Sequence, residues 1–200
     1  SGAVCGSRIT RCSPLQEVST WMPSQRPFWR SAAPTASMLA DTCAGCHGTD
    51  GASVGPATPN IAGLSETYFT DTMLAFKNGD RYGTVMGRIA KGYSEEEIKL
   101  MAGFFASKPM ASTSQELDAA KVAAGEKLYG KNCSKCHDEN GSLADDDAGI
   151  LASQWLPYLA YAIEDFKAGT TEMPKKMKKK VDALSDDELD ALLQFFASQQ

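Results

Sequence analysis

The five-residue string Cys43-Ala44-Gly45-Cys46-His47 returns as Cys133-Ser134-Lys135-Cys136-His137, 90 residues further along a 200-residue chain. The recurrence extends well beyond the string. The same offset takes Tyr68 to Tyr158, Phe76-Lys77 to Phe166-Lys167 and Gly79 to Gly169. Further on, an offset of 91 pairs Met86 with Met177, Ser94 with Ser185, and Phe104-Phe105-Ala106-Ser107 with Phe195-Phe196-Ala197-Ser198. One residue inserted between Gly169 and Met177 accounts for the change. Order and spacing kept over this length mean two tandem copies of one domain. The first copy spans 34–108 and the second 115–200. Residues 109–114, Pro109-Met110-Ala111-Ser112-Thr113-Ser114, have linker composition. Residues 1–33 have no counterpart in the repeat.

Each copy reads as helical. Ser94 with Glu97, and Ser185 with Glu188, have capping-box spacing. Ile98, Met101, Phe104 and Phe105 follow the first at helical spacing; Leu189, Leu192, Leu193 and Phe196 follow the second. A helix is expected before each Cys-x-x-Cys-His, around Thr35–Thr42 and Leu117–Lys131. A third runs over Ser65–Lys77 and is matched by Pro157–Lys167. Gly79 and Gly169 stop these helices. No segment alternates with the period of a strand.

A copy of about 80 residues has a marginal core without a staple. The Cys-x-x-Cys-His string supplies one. Two thiols three residues apart reach the two vinyl groups on one edge of a porphyrin, and the following histidine then lies under the iron. A lone Cys-x-x-Cys would also suit redox chemistry or half a zinc site. Two such strings in a tandem repeat favour haem. Cys43, Cys46, Cys133 and Cys136 are therefore the expected attachment residues of two covalent haem c groups, with His47 and His137 as proximal ligands. The chain has only 2 histidines. No third is available for a catalytic triad, a Cys-His dyad or a His-rich metal site.

Met86 and Met177 are the methionines that correspond between copies downstream of the string. They are the expected sixth ligands, a thioether being suited to an electron carrier. Core packing is the ordinary alternative for methionine, and Met173, next to Pro174, competes with Met177. The proximal histidine needs an acceptor for its other ring N–H. Pro56, nine residues past His47, is expected to provide its carbonyl. The second copy has no proline between His137 and Pro157, so its acceptor must differ. Arg81, Arg88 and Tyr82 are either propionate partners or plain surface residues. Lys175-Lys176-Met177-Lys178-Lys179-Lys180 is either a solvated run or a docking patch for an acidic partner. Asp145-Asp146-Asp147 is equally ambiguous.

These residues resemble the dihaem cytochrome subunit of flavocytochrome c sulfide dehydrogenase and its relatives, the cytochromes c4. Cys43-Ala44-Gly45-Cys46-His47-Gly48-Thr49 is generic to class I cytochromes c. Met86-Gly87-Arg88-Ile89-Ala90-Lys91-Gly92-Tyr93 and Asp145-Asp146-Asp147-Ala148-Gly149-Ile150-Leu151 are more specific and favour the sulfide dehydrogenase subunit, and Met173-Pro174-Lys175-Lys176-Met177 also carries the resemblance. The resemblance covers 34–200. It implies an all-α fold of two tandem class I cytochrome c domains, each wrapped round a covalent haem; residues 1–33 lie outside it and read as an irregular N-terminal extension. It also implies a periplasmic protein that takes electrons from an FAD-containing sulfide-oxidising subunit and passes them singly to a soluble acceptor. The alternative is a free-standing c4-type carrier serving a terminal oxidase or reductase. A dihaem peroxidase would need an open sixth position. This chain has no G-x-G-x-x-G, so FAD belongs to the partner. The formal charge of −5 argues against nucleic acid as a partner. No run is apolar enough to span a membrane.

The extension departs from the pattern. It holds Cys5, Cys12, Trp21, Met22, Phe28 and Trp29, with prolines that disfavour a helix. Cys5 and Cys12 suit a short disulfide loop in an oxidising compartment. Two thiolates, with or without Met22, would alternatively suit Cu(I); free thiols are the third reading.

Overall fold

The computed structural model describes residues 33–200, and 34–200 form one compact unit. The extension with Cys5 and Cys12 lies outside the described residues. Among these, helices alternate with turns and no strand occurs. In the first copy they are α1 (Ala36–Asp41), α2 (Ala44–His47), α3 (Glu66–Asn78), α4 (Met86–Ile89) and α5 (Glu95–Ala106). The second holds α6 (Ala119–Asn132), α7 (Leu156–Ala168), α8 (Lys175–Val181) and α9 (Asp186–Ser198).

The helix boundaries follow from local chemistry. Both capping boxes form: the Ser94 hydroxyl accepts from Glu97 N–H at 3.2 Å while Glu97 Oε2 accepts from Ser94 N–H at 2.8 Å. Ser185 and Glu188 repeat this at 3.2 and 2.9 Å. Gly79 (φ +87°) and Gly169 (φ +71°) close α3 and α7 in the left-handed conformation that only glycine enters freely. Pro157 sits in the first turn of α7, where its missing N–H has no intrahelical partner to lose.

The repeat is visible atom by atom. In the first copy the Gly51 carbonyl accepts from Ile61 and Ala62 N–H, and the Phe105 carbonyl accepts from Gly63 N–H. In the second, Gly141 accepts from Leu151 and Ala152, and Phe196 accepts from Ser153. Asp50 and Asn140 share a positive φ of 58° and 59°. The first core gathers Leu39, Phe69, Met73, Ile98, Met101 and Phe105 from α1, α3 and α5. The second gathers Tyr129, Leu159, Leu192, Phe195 and Phe196 from α6, α7 and α9.

The two copies are not independent beads. Ile150 and Ala152 of the second copy belong to the first core. Trp155 lies against Gly55, and its indole N–H donates to the Ser53 carbonyl at 3.1 Å. The segment 109–114, which reads as a linker, is part of this seam. Its Ala111 and Thr113 are buried while Ser112 and Ser114 face out. Composition identified a connection without helix or strand, but side chains alternating in and out let it pack.

Candidate haem sites

The Cys-x-x-Cys-His strings adopt one backbone shape. Cys46 and His47 N–H both donate to the Cys43 carbonyl, at 3.2 and 2.9 Å; Cys136 and His137 do the same to Cys133, at 3.1 and 3.0 Å. One helical turn thus sets the two thiols and the ring at fixed spacing. Cys43 and Cys133 are half-buried, Cys46 and Cys136 exposed, and none is in a disulfide. Burial pushes the Cys43 and Cys133 thiols up; Thr42 Oγ1 opposes this at Cys43, and the Lys180 charge opposes it at Cys133.

The environments of the two histidines differ. His47 is buried, and its Nδ1 lies 2.9 Å from the Pro59 carbonyl oxygen. A carbonyl can only accept, so Nδ1 carries the proton and Nε2 presents a lone pair. Burial pushes the His47 pKa down, against the Pro59 bond. The acceptor is therefore Pro59, not the expected Pro56. Pro56 falls in the exposed part of the loop, whereas the half-buried Pro59 presents its carbonyl to the Nδ1 edge of the ring. His137 is half-buried, and no ring hydrogen bond forms among the described residues. Its ring lies edge-on to Phe196 at 6.1 Å. Its pKa too is lowered by burial, against the nearby Asp145 charge.

Of the methionines in the first copy, Met73 and Met101 are locked in the core and Met38 is exposed. Met86, half-buried at the start of α4, packs at the edge of that core. Val85 and Ile89 flank it, 55% and 40% exposed, an apolar rim that a porphyrin face would cover. Met177 is half-buried on α8, and so is Met173 just before it. Arg81 lies over the Phe76 ring at 5.2 Å, while Tyr82 and Arg88 are exposed. The Asp145 carbonyl accepts from Ser65 Oγ at 3.3 Å across the seam. This donor set fits haem: free paired thiols, an oriented imidazole and a thioether on an apolar rim.

Sequence reasoning missed Pro59, and with it Asn60, Thr113 and Gln154, which form a buried polar cluster next to the Pro59 carbonyl. One signal was present: Gln154 interrupts an apolar stretch where its repeat mate is Leu64.

Residues 32–109 match the family described as Cytochrome c, and residues 120–196 match that described as Cytochrome C oxidase, cbb3-type, subunit III. The chain is 47% identical over 83 residues to the cytochrome subunit of sulfide dehydrogenase from Chlorobaculum tepidum, covering 42% of this chain and 72% of that one. It is 33% identical over 140 residues to cytochrome c4 from Pseudomonas aeruginosa, covering 66% and 69%. The structure of reduced recombinant cytochrome c4 from Pseudomonas stutzeri shares the fold, with a TM-score of 0.71 at 24% identity over 84% of this chain and 100% of that one. Two helical copies with these strings define the class: c-type electron carriers. The chain belongs to the cytochrome c family and is a dihaem protein of the cytochrome c4-like kind.

Proposed function

We propose that this chain is the periplasmic electron-transfer subunit of a sulfide-oxidising complex. It takes electrons from a reduced flavin on a separate FAD-containing subunit and passes them singly to a soluble acceptor protein. The observation that carries this reading is the 47% identity to a sulfide dehydrogenase cytochrome subunit. Cys43 and Cys46 hold one haem and Cys133 and Cys136 the other. His47 and His137 are the proximal ligands, and Met86 and Met177 the distal ones. Each haem supplies a one-electron iron couple. Two such sites in one compact unit suit a flavin that gives up two electrons. The chain's own residues orient the imidazoles, cover the rings with apolar side chains and exclude water.

Purification under mild conditions tests this. One flavin per two haems in a single native complex is expected. A flavin-free monomer would favour a free-standing c4-type carrier. Coverage favours that second reading: the c4 relative aligns over 140 residues, longer than either copy. The sulfide dehydrogenase relative, of which 83 residues are 72%, is too short to hold both copies.

The acceptor docks at α8 in this reading. Five lysines crowd this seven-residue helix around Met177. Lys178 pairs with Asp182 at 2.8 Å, while Lys175, Lys176 and Lys179 form no ion pair among the described residues. Lys175, Lys178, Lys179, Asp182 and Ala183 line an open cleft of about 520 Å³. An isolated positive patch on an acidic protein steers an acidic partner. The double variant Lys175→Glu/Lys179→Glu is expected to slow electron transfer to an acidic acceptor roughly 10- to 100-fold at low salt. The deficit should fade as salt screens the charges. Stopped-flow rates against ionic strength measure it, with both potentials checked as a control. Equal rates for variant and parent at every salt concentration would remove α8 as the docking site.

A further inference from the structure

We propose that Gln154, in the second domain, is a positioning residue for the first haem, acting through a single peptide group. This rests on His47 being the proximal ligand of that haem. The peptide bond between Pro59 and Asn60 is held at both ends. Its carbonyl oxygen accepts the His47 Nδ1 proton at 2.9 Å, and its N–H donates to Gln154 Oε1 at 2.9 Å. Gln154 Nε2 returns a hydrogen bond to the Asn60 carbonyl at 2.8 Å. The path is therefore imidazole N–H to peptide C=O, then peptide N–H to the side-chain amide of the other domain.

Every polar group around this path is satisfied. Asn60 Nδ2 donates to Thr113 Oγ1 and to the Ser153 carbonyl, both at 2.9 Å, while Asn60 Oδ1 accepts from Ser53 N–H at 2.8 Å. Asn60 and Gln154 are 6% and 4% exposed. Water therefore contributes little screening, and hydrogen bonds in series polarise one another in such surroundings. A peptide N–H that donates to Gln154 makes its own carbonyl a better acceptor. The His47 ring then carries more negative charge at Nδ1, binds iron more strongly and favours the ferric form.

The device works in one direction only. The repeat mate of Gln154 is Leu64, which has no polar atom to offer. His137 has no ring acceptor among the described residues to be tuned. The second domain therefore sets the first haem, with no reciprocal path to the second among the described residues.

The test is Gln154→Met in the two-haem protein, which keeps the side-chain volume and removes both hydrogen bonds to Asn60, together with the longer one from Nε2 to the Ile150 carbonyl at 3.4 Å. Potentiometric titration followed by paramagnetically shifted NMR signals reads each haem separately. The first haem is expected to become easier to reduce. At a poise where it was half-reduced, its reduced-to-oxidised ratio should rise on the order of three- to tenfold, as one weakened hydrogen bond allows. The second haem should not move. Thr113→Val removes the hydroxyl that accepts from the Asn60 side chain but leaves the Pro59–Asn60 peptide and its bond to Gln154 in place, and it should leave both potentials unchanged. An unmoved first haem in Gln154→Met, or an equal shift in Thr113→Val, overturns the proposal. If Gln154→Met does not fold, the parent protein still decides: the His47 ring N–H must exchange with solvent far more slowly than that of His137, and comparable exchange overturns it. Failure of the ligand assignment would look different, because the His47 ring protons would then lack paramagnetic shifts altogether.

Discussion

Replacing Met86 with alanine is expected to remove half of the weak red absorption band that marks methionine on ferric haem, and Met177→Ala should remove the other half. Each change should also lower one potential by a sizeable part of the ~0.8 V span that axial ligands command. The direction follows from the thioether, a soft ligand that favours ferrous iron. The chain cannot substitute an imidazole, because its 2 histidines are already in the Cys-x-x-Cys-His strings. Burial supports Met86 over its neighbours, since Met73 and Met101 are 5% and 0% exposed inside the first core. The second domain poses a sharper choice. Met173 and Met177 are both half-buried, but only Met177 sits on a helix equivalent to the one that carries Met86. Met173→Ala should therefore leave the band at full intensity. If it halves the band while Met177→Ala does not, the ligand is Met173, and the second copy carries a deletion as well as an insertion around it.

The two haems should differ despite their shared fold, and the difference arises where the repeat breaks. Backbone features survive the 90-residue offset: the glycine stops, the left-handed Asp50 and Asn140, and the carbonyls of Gly51 and Gly141 that each accept two N–H groups. The side chains beside the histidines do not survive it. Pro59, Asn60 and Gln154 have no matching set in the other half. The scaffold needs the same backbone twice, whereas two haems in one chain need not share a potential.

How much was legible follows the range of the interactions. Capping boxes, glycine stops and the Cys-x-x-Cys-His turn depend on residues within five positions of one another, so the sequence displayed them directly. Tandem duplication was legible because a repeat is itself a pattern. The Pro59 acceptor was not. The sequence offered two prolines three residues apart, and only the path of the loop decides which carbonyl faces the ring. The Asn60–Gln154 contact joins residues 94 apart. No local rule reaches that far, and it is asymmetric between copies, so the repeat could not reveal it either. The buried segment 109–114 escaped for a related reason: its composition suits a solvated linker, and only the meeting of two domains covers it.

Two alanine substitutions in α6 are expected to act in opposite directions, and the harmful one should cost the second domain about 3 kcal/mol or more. A Cβ at Gly125 would lie 2.1 Å from the Ala191 carbonyl oxygen and 2.7 Å from Phe195 Cβ. Glycine lets α6 and α9 approach backbone to backbone there. A main-chain carbonyl cannot rotate aside, so Gly125→Ala must push the helices apart. At Gly130, five residues further along the helix, nothing lies within 4 Å of the same added carbon. There the change should stabilise by roughly 0.5–1 kcal/mol, the helix-propensity difference between alanine and glycine. Denaturant midpoints of the two-haem protein, compared at equal m-value, measure both. The damage at Gly125 should reach the second haem as well. Tyr129 on α6 stacks on Phe195 of α9 at 5.0 Å. Its hydroxyl donates to the His137 carbonyl at 2.8 Å and accepts from Asn140 N–H at 2.9 Å. Separating the helices therefore moves the loop that carries His137. The methionine band of the second haem should weaken at denaturant concentrations where the first haem is still intact. Simultaneous loss of both haems would instead mean that the seam between the domains couples their unfolding more tightly than α6 and α9 couple to each other.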